Sequence, residues 1–224
     1  MKPTFKRAVF AMAFVASFLM FAAVPGQTQI YFQSVDPIGS YASQNDTNGR
    51  GLFAQALENF NLGGTAYDLT SIKWVGSYFS PPQPGVITAW TVQIYSDLGG
   101  HPEMLLYQTN VSGNGGETFF GFDNLNDPMY LYGVNLNFVT TANTTYWLSV
   151  YPDLGLPPQW GWETGTGGDG AAWACFFSAC GPIPNDLAFA LFGHAETTPE
   201  PGTLILLGSG ILGVAGTLRR KNLP

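Results

Sequence analysis

Between residues 65 and 193 the sequence is dominated by segments in which apolar side chains recur at every second position, and this period constrains the fold more than any other feature. In "DLTSIKWVGSYF", Ile72, Trp74, Gly76 and Tyr78 fall on one face. In "VITAWTVQIYS", Trp90, Val92 and Ile94 do so. In "TYWLSVY", Tyr146, Leu148 and Val150 oppose Trp147 and Tyr151, and in "DLAFALFG" Leu187, Phe189 and Leu191 alternate with small residues. A period of two is that of a strand with one face buried. Weaker segments with this character are "EMLLYQTNV", "ETFFGF" and "MYLYGVNLNF". Turn-rich joints such as "SPPQPG", "SDLGGHP" and "SGNGG" separate them. Seven to nine short strands are expected, packed as an all-β antiparallel sandwich of jelly-roll or Ig-like type. Trp74, Trp90, Ile94, Leu148 and Phe189 are its expected interior. "QALENFNLGG" has room for one helical turn, although "FNL" reads better as the start of a strand.

Composition agrees. Only 10% of the 224 residues are charged, 15% are aromatic, and there are 28 glycines and 16 prolines. Such a chain has too much apolar material to stay disordered and enough length for one sizeable core. Charge is distributed unevenly. Between residues 27 and 201 only Arg50 and Lys73 are basic, against all fifteen acids, a net charge of −13. That surface repels phosphate backbones and excludes nucleic-acid binding.

The two ends differ from the middle. Residues 1–26 have the three parts of a secretory signal peptide. Lys2, Lys6 and Arg7 are followed by an apolar run from Ala8 to Val24 broken only by Ser17, then by Pro25 and Gly26. An uncleaved N-terminal anchor is the alternative. At the other end Gly202–Leu218 contains no charge, and Arg219, Arg220 and Lys221 follow at once. As a helix this run spans about 26 Å, slightly short of a hydrocarbon core of roughly 30 Å. Within it "GSGILG" matches the G-x-G-x-x-G of dinucleotide sites. Only eleven residues follow Gly213, however, and none is acidic, so the βαβ unit has no room. Ser209, Gly213 and Thr217 instead form a small-residue face of a membrane helix. The basic clusters at both outer ends keep those ends cytoplasmic and send the middle across the membrane.

Pro199, Glu200 and Pro201 stand immediately before that run. The whole stretch "PEPGTLILLGSGILGVAGTLRRK" resembles the PEP-CTERM sorting signal of exported Gram-negative proteins, with Thr198 in place of a frequent Val. The resemblance covers about residues 197–221. It implies recognition of Pro199-Glu200-Pro201 by an exosortase, a membrane-embedded cysteine transpeptidase, with transient residence in the inner membrane. It also implies a final location in the periplasm, the outer membrane or at the cell surface. A simple tail anchor is the alternative. The prolines suit the role physically, because they hold the motif extended and block helix propagation upstream. The expected organisation is a signal peptide over 1–26, an exported sandwich over 27–196 and the sorting signal over 197–224. Residues 53–193 also resemble the exported domain that precedes many such signals, which supports the fold and leaves the ligand open.

Chemistry is sparse in the middle. His101 and His194 have no second histidine or cysteine at metal spacing, and no G-x-S-x-G occurs. No catalytic residue, metal ligand set or cofactor is expected. Loop acids Asp97, Asp153 and Asp169 are the candidates for structural Ca²⁺, although no D-x-D-x-D-G loop accompanies them. Cys175 and Cys180 bracket four residues, and an oxidising compartment lets them pair across a turn. Two free buried thiols are the alternative. Trp160, Trp162 and Trp173 flank the Gly-rich "GTGGDG", where indole faces can stack on sugar rings. Trp160 and Trp162, two apart, can equally share a core face. Three functions are weighed: a non-catalytic surface protein associated with extracellular polysaccharide or biofilm matrix, a carbohydrate-binding module, and a glycan hydrolase with a cryptic carboxylate pair.

The sorting reading makes a direct prediction. Protein isolated from its own host should lack Gly202–Leu218, and Glu200→Ala should leave the full tail in the membrane. C-terminal peptide mapping checks both. A mature wild-type chain that retains Gly202–Leu218 contradicts the reading and favours the tail anchor.

Overall fold

A computed structural model describes residues 28–196. The N-terminal segment 1–26 and the apolar run 202–218 lie outside the described residues, as do Pro199, Glu200, Pro201, Arg219, Arg220 and Lys221. The chain divides into two compact units after His194, and the packing and site below belong to the first.

Fourteen strands follow one another without an intervening helix among the described residues. They are β1 (Thr28–Ala42), β2 (Gln44–Asp46), β3 (Phe53–Asn61), β4 (Tyr67–Phe79), β5 (Ala89–Asp97), β6 (Pro102–Ser112), β7 (Thr118–Phe122), β8 (Pro128–Val139), β9 (Thr145–Leu154), β10 (Gln159–Thr166), β11 (Ala171–Phe176), β12 (Ala179–Pro184), β13 (Asp186–Leu187) and β14 (Phe189–Ala195). They form two seven-stranded sheets. The first runs β13-β10-β1-β14-β4-β8-β7 and the second β12-β11-β3-β2-β9-β5-β6. Pairing is antiparallel except for the short β2–β9 contact. The arrangement is that of a β-sandwich.

The strands outnumber the seven to nine expected because three lie before residue 65 and three more, β10, β11 and β12, lie between residues 159 and 184, where no alternating run marks them. β1 hides its alternation behind a bulge at Asp36–Gly39, where its register on β10 slips between Val35 and Ser40. "QALENFNLGG" holds no helical turn: Phe53–Asn61 is extended throughout. There Ala56 and Phe60 face the interior, while Leu57 lies on the opposite face, also buried. Burial on both faces removes the period-2 signal.

The interior is aromatic. Trp74, Trp90, Ile94, Leu148 and Phe189 are all fully buried, as the alternation indicated. Trp74 of the first sheet meets Trp90 of the second at 4.7 Å between ring centroids, and Trp160 meets Trp90 at 4.9 Å. Gly76 makes this approach feasible, since a Cβ there would lie 2.0 Å from Trp160 Cζ2.

The two outer faces differ. That of the first sheet is apolar: Val75, Met129, Ala188, Ala190 and Phe192 are buried beneath Phe32, Val35, Phe120 and Leu131. One carboxyl is buried with them. Glu163 alternates with the inward-facing Trp162 and is fully covered, and neither of its carboxyl oxygens has a hydrogen-bond partner. Ser77 lies near enough to favour the charged form slightly, but it donates its hydroxyl to Ser40 Oγ at 3.0 Å. Burial dominates and pushes the Glu163 carboxyl up to about 8, with Asp123 and Asp127 adding to the shift.

Glu163 therefore gives stability a pH dependence of definite sign. Its ordinary value is 4.5, so the folded state holds a proton that the unfolded state releases between about pH 4.5 and 8. Stability is greatest at the acid end and falls by up to about 1.4 kcal/mol per pH unit across that window. Glu163→Gln should flatten this contribution. Urea unfolding at pH 5 and pH 8 measures it, and an equal decline in wild type and variant would contradict the assignment.

Candidate functional site

The outer face of the second sheet is polar where that of the first is apolar. On β3, Gln55, Leu57, Asn59 and Asn61 alternate with the inward-facing Ala54, Ala56, Glu58 and Phe60. On β5 the outward residues are Thr91, Gln93 and Tyr95, and on β9 they are Trp147, Ser149 and Tyr151. Pairing aligns them across the sheet. Trp173 of β11 stands beside Leu57, Leu57 beside Ser149, Ser149 beside Gln93, and Gln93 beside Gln108 of β6.

Amides join these strands. Gln55 Nε2 donates to Gln93 Oε1 at 2.8 Å, Gln93 Nε2 to Gln108 Oε1 at 2.7 Å, and Gln108 Nε2 to Asn110 Oδ1 at 3.4 Å. The Tyr95 hydroxyl donates to Gln93 Oε1 at 2.6 Å. Burial raises the Tyr95 phenol, which stays a neutral donor. Amides fixed in this way keep a defined donor and acceptor pattern. Ser149 Oγ lies buried in their midst with no partner.

At one end this face deepens into a cleft of about 660 Å³, within the range of small-ligand sites. β11 supplies Trp173, which is partly exposed. β9 supplies Trp147, β3 supplies Asn59 and Asn61, the last residue of β5 is Asp97, and the β10–β11 loop supplies Asp169. Each polar wall is oriented by its neighbours. Trp147 Nε1 donates to Asp97 Oδ1 at 2.7 Å, and Asn59 Nδ2 donates to Asp169 Oδ2 at 3.0 Å. Asn61 Nδ2 donates to Thr145 Oγ1 at 3.1 Å. Trp173 stands edge to face with Trp147 at 6.4 Å, and the His101 ring lies 6.0 Å from it. A second hollow, of about 40 Å³ beside Phe53 and Phe177, is too small for a sugar.

The residues singled out in the sequence separate here. Trp173, Asp97 and Asp169 come together in the cleft. Trp160 and Trp162 do not: both are fully buried and offer no face to a ligand. Trp160 Nε1 donates to the Tyr132 hydroxyl at 3.2 Å, and Trp162 Nε1 to the Ala188 carbonyl at 2.8 Å. The reason is positional. β10 continues to Thr166, so the Gly-rich loop begins beyond both indoles and only Trp173 borders it. Asp153 accepts from Asn45 Nδ2 at 2.7 Å and does not line the cleft. His194 lies 3.5 Å from Asp68. Cys175 and Cys180 face each other across the β11–β12 hairpin with Cα atoms 4.0 Å apart and are disulfide-bonded. A two-residue turn, Phe177-Ser178, closes that hairpin.

Sequence reasoning passed over the amides and Glu58. Asn59 and Asn61 sit two apart after Gln55 and Leu57, so a polar second face on β3 was there to be read. Glu58 is the more unusual of the two. It points inward and is buried, and burial, with Asp186 and Asp169 nearby, pushes its carboxyl up to about 9.

Fold and cleft together define an all-β sandwich with a polar, aromatic-walled hollow on one sheet. Residues 197–221 match the family model described as the PEP-CTERM protein-sorting motif. No curated protein matches the chain. The matched motif implies export, sorting to the cell envelope and exosortase-type processing.

Proposed function

We propose that this is a non-catalytic envelope protein whose cleft binds extracellular polysaccharide. The observation that carries the reading is the pairing of the partly exposed Trp173 with the fixed polar groups Asn59, Asn61, Asp97 and Asp169 around one 660 Å³ hollow. A sugar ring has an apolar C–H face and a rim of hydroxyls. An indole suits the face, and amide–carboxylate pairs suit the rim. Because the cleft opens on a sheet face, a long chain can lie across it without an end having to enter. Residence in the inner membrane before processing, and a periplasmic, outer-membrane or surface location afterwards, belong to the same reading.

Hydrolysis is the second reading, favoured by one observation: Asp97 and Asp169 line the same cleft. Every oxygen of the pair already accepts a hydrogen bond. Asp97 receives Trp147 Nε1 and the Gly100 amide, and Asp169 receives Asn59 Nδ2 and the Ala171 amide. That pattern suits fixed acceptors better than an acid and base that exchange protons.

A glycan array, extended with exopolysaccharide extracted from the host, tests both. Trp173→Ala should weaken binding about tenfold or more, equivalent to about 1.4 kcal/mol, while thermal unfolding stays within a few degrees. Release of reducing sugar by the wild type, lost in Asp169→Asn, would replace binding with hydrolysis. Absence of binding to every glycan would contradict the polysaccharide reading itself.

A further inference from the structure

The cleft that holds Trp173 carries charge of one sign only. Among the described residues, Asp97 and Asp169 are the charged side chains in its wall. No lysine or arginine reaches it. Arg50 and Lys73 are the only two between residues 28 and 196. Arg50 precedes β3, at the opposite end of that strand from Asn59 and Asn61, and its charge acts on Asp46. Lys73 lies over the Phe192 ring, on the outer face of the other sheet. His101 packs against Trp173 without lining the hollow.

The two carboxylates are held in place by neutral donors. Asp97 accepts from Trp147 Nε1 at 2.7 Å and from the Gly100 amide at 3.3 Å. Asp169 accepts from Asn59 Nδ2 and from the Ala171 amide, each at 3.0 Å. Such bonds orient a carboxylate and leave its charge without a counter-ion. More negative charge stands behind the wall, where one carboxyl oxygen each of Glu58, Asp169 and Asp186 lie within 4.8 Å of one another. Glu58 responds to it: burial first, then the charges of Asp186 and Asp169, push its carboxyl up to about 9.

A ligand that fills this hollow displaces the water that screens Asp97 and Asp169. A polymer of uronic acids or sulfated sugars would set like charges beside them in a medium of lowered dielectric, which repels. A neutral glycan would leave both charges desolvated without compensation. An amino sugar with a free amine is an ammonium at mildly acidic pH. It brings up to three N–H donors to carboxylates that have lone pairs to spare, and it is attracted to an indole face such as that of Trp173.

We propose that the cleft selects a cationic polysaccharide, one whose amino sugars carry free rather than acetylated amines. Asp97 and Asp169 anchor the ammonium groups, and Trp173 takes the apolar face of a neighbouring ring. The inference rests on the polysaccharide reading and adds to it the charge of the ligand.

Biolayer interferometry at pH 6 tests it, with the full-length protein in neutral detergent and exopolysaccharide extracted from the host. The polymer is used as extracted and after N-acetylation with acetic anhydride, which caps free amines and leaves the sugar backbone intact. Acetylation should weaken binding at least tenfold. Asp97→Asn and Asp169→Asn, which keep side-chain shape, should each weaken binding of the untreated polymer at least tenfold without lowering the unfolding midpoint. Asp153→Asn removes the same charge at the far end of β9 and should leave binding unchanged, which separates the cleft from general attraction of a polycation to an acidic protein. A loss under tenfold on acetylation or in either cleft variant, or an equal loss in Asp153→Asn, overturns the charge assignment and leaves the polysaccharide reading standing. Failure of the untreated polymer to bind the wild type overturns both.

Discussion

The edge-to-face contact of Trp90 with Trp74 and Trp160 sets the spacing of the two sheets, and the rest of the molecule depends on it. Indoles so large leave no room for side chains at the points where backbones approach, hence Gly76 under Trp160 and Gly115 beside Trp90 Nε1. Ring pairs of this geometry contribute about 0.5–1.5 kcal/mol each beyond burial. Tyr132 extends the group by packing on Trp74 at 5.9 Å and on Trp90 at 4.8 Å. The sheets thus cannot slide without breaking several ring contacts at once.

This rigidity has a consequence on the outside. Since the inner faces are fixed, outward residues of neighbouring strands keep their register, and the Gln55–Gln93–Gln108 relay can form across β3, β5 and β6. The first sheet spends its outer face on a second apolar layer around Phe192 and Val75. The second sheet keeps its outer face polar and deepens it into the cleft. A sandwich with one sealed and one open sheet has a direction: it presents one surface to whatever the envelope offers.

The inner layer was legible in the sequence because each strand there alternates cleanly, from Trp74 through Leu148 to Phe189. β3 was less so, since Leu57 is buried on the outer face and Glu58 on the inner one, and a carboxyl inside the core inverts the usual sign. β1 was hidden by its bulge at Asp36–Gly39. The site was half legible. Trp173, Asp97 and Asp169 stood out by residue type, while Trp160 and Trp162, two apart, could be read as ligand platforms or as a shared core face, and the length of β10 decides for the core. The amide relay and the Glu58–Asp169–Asp186 cluster join residues up to 128 positions apart, which no local pattern connects.

The outer face of the second sheet as a polysaccharide platform is the central claim, and amide hydrogen exchange with and without host exopolysaccharide tests it most directly. The account predicts added protection confined to the cleft: the end of β3 at Asn59–Asn61, the start of β9, the Gly167–Gly170 loop and β11. Protection instead over the first sheet, or none at saturating polysaccharide, would contradict it.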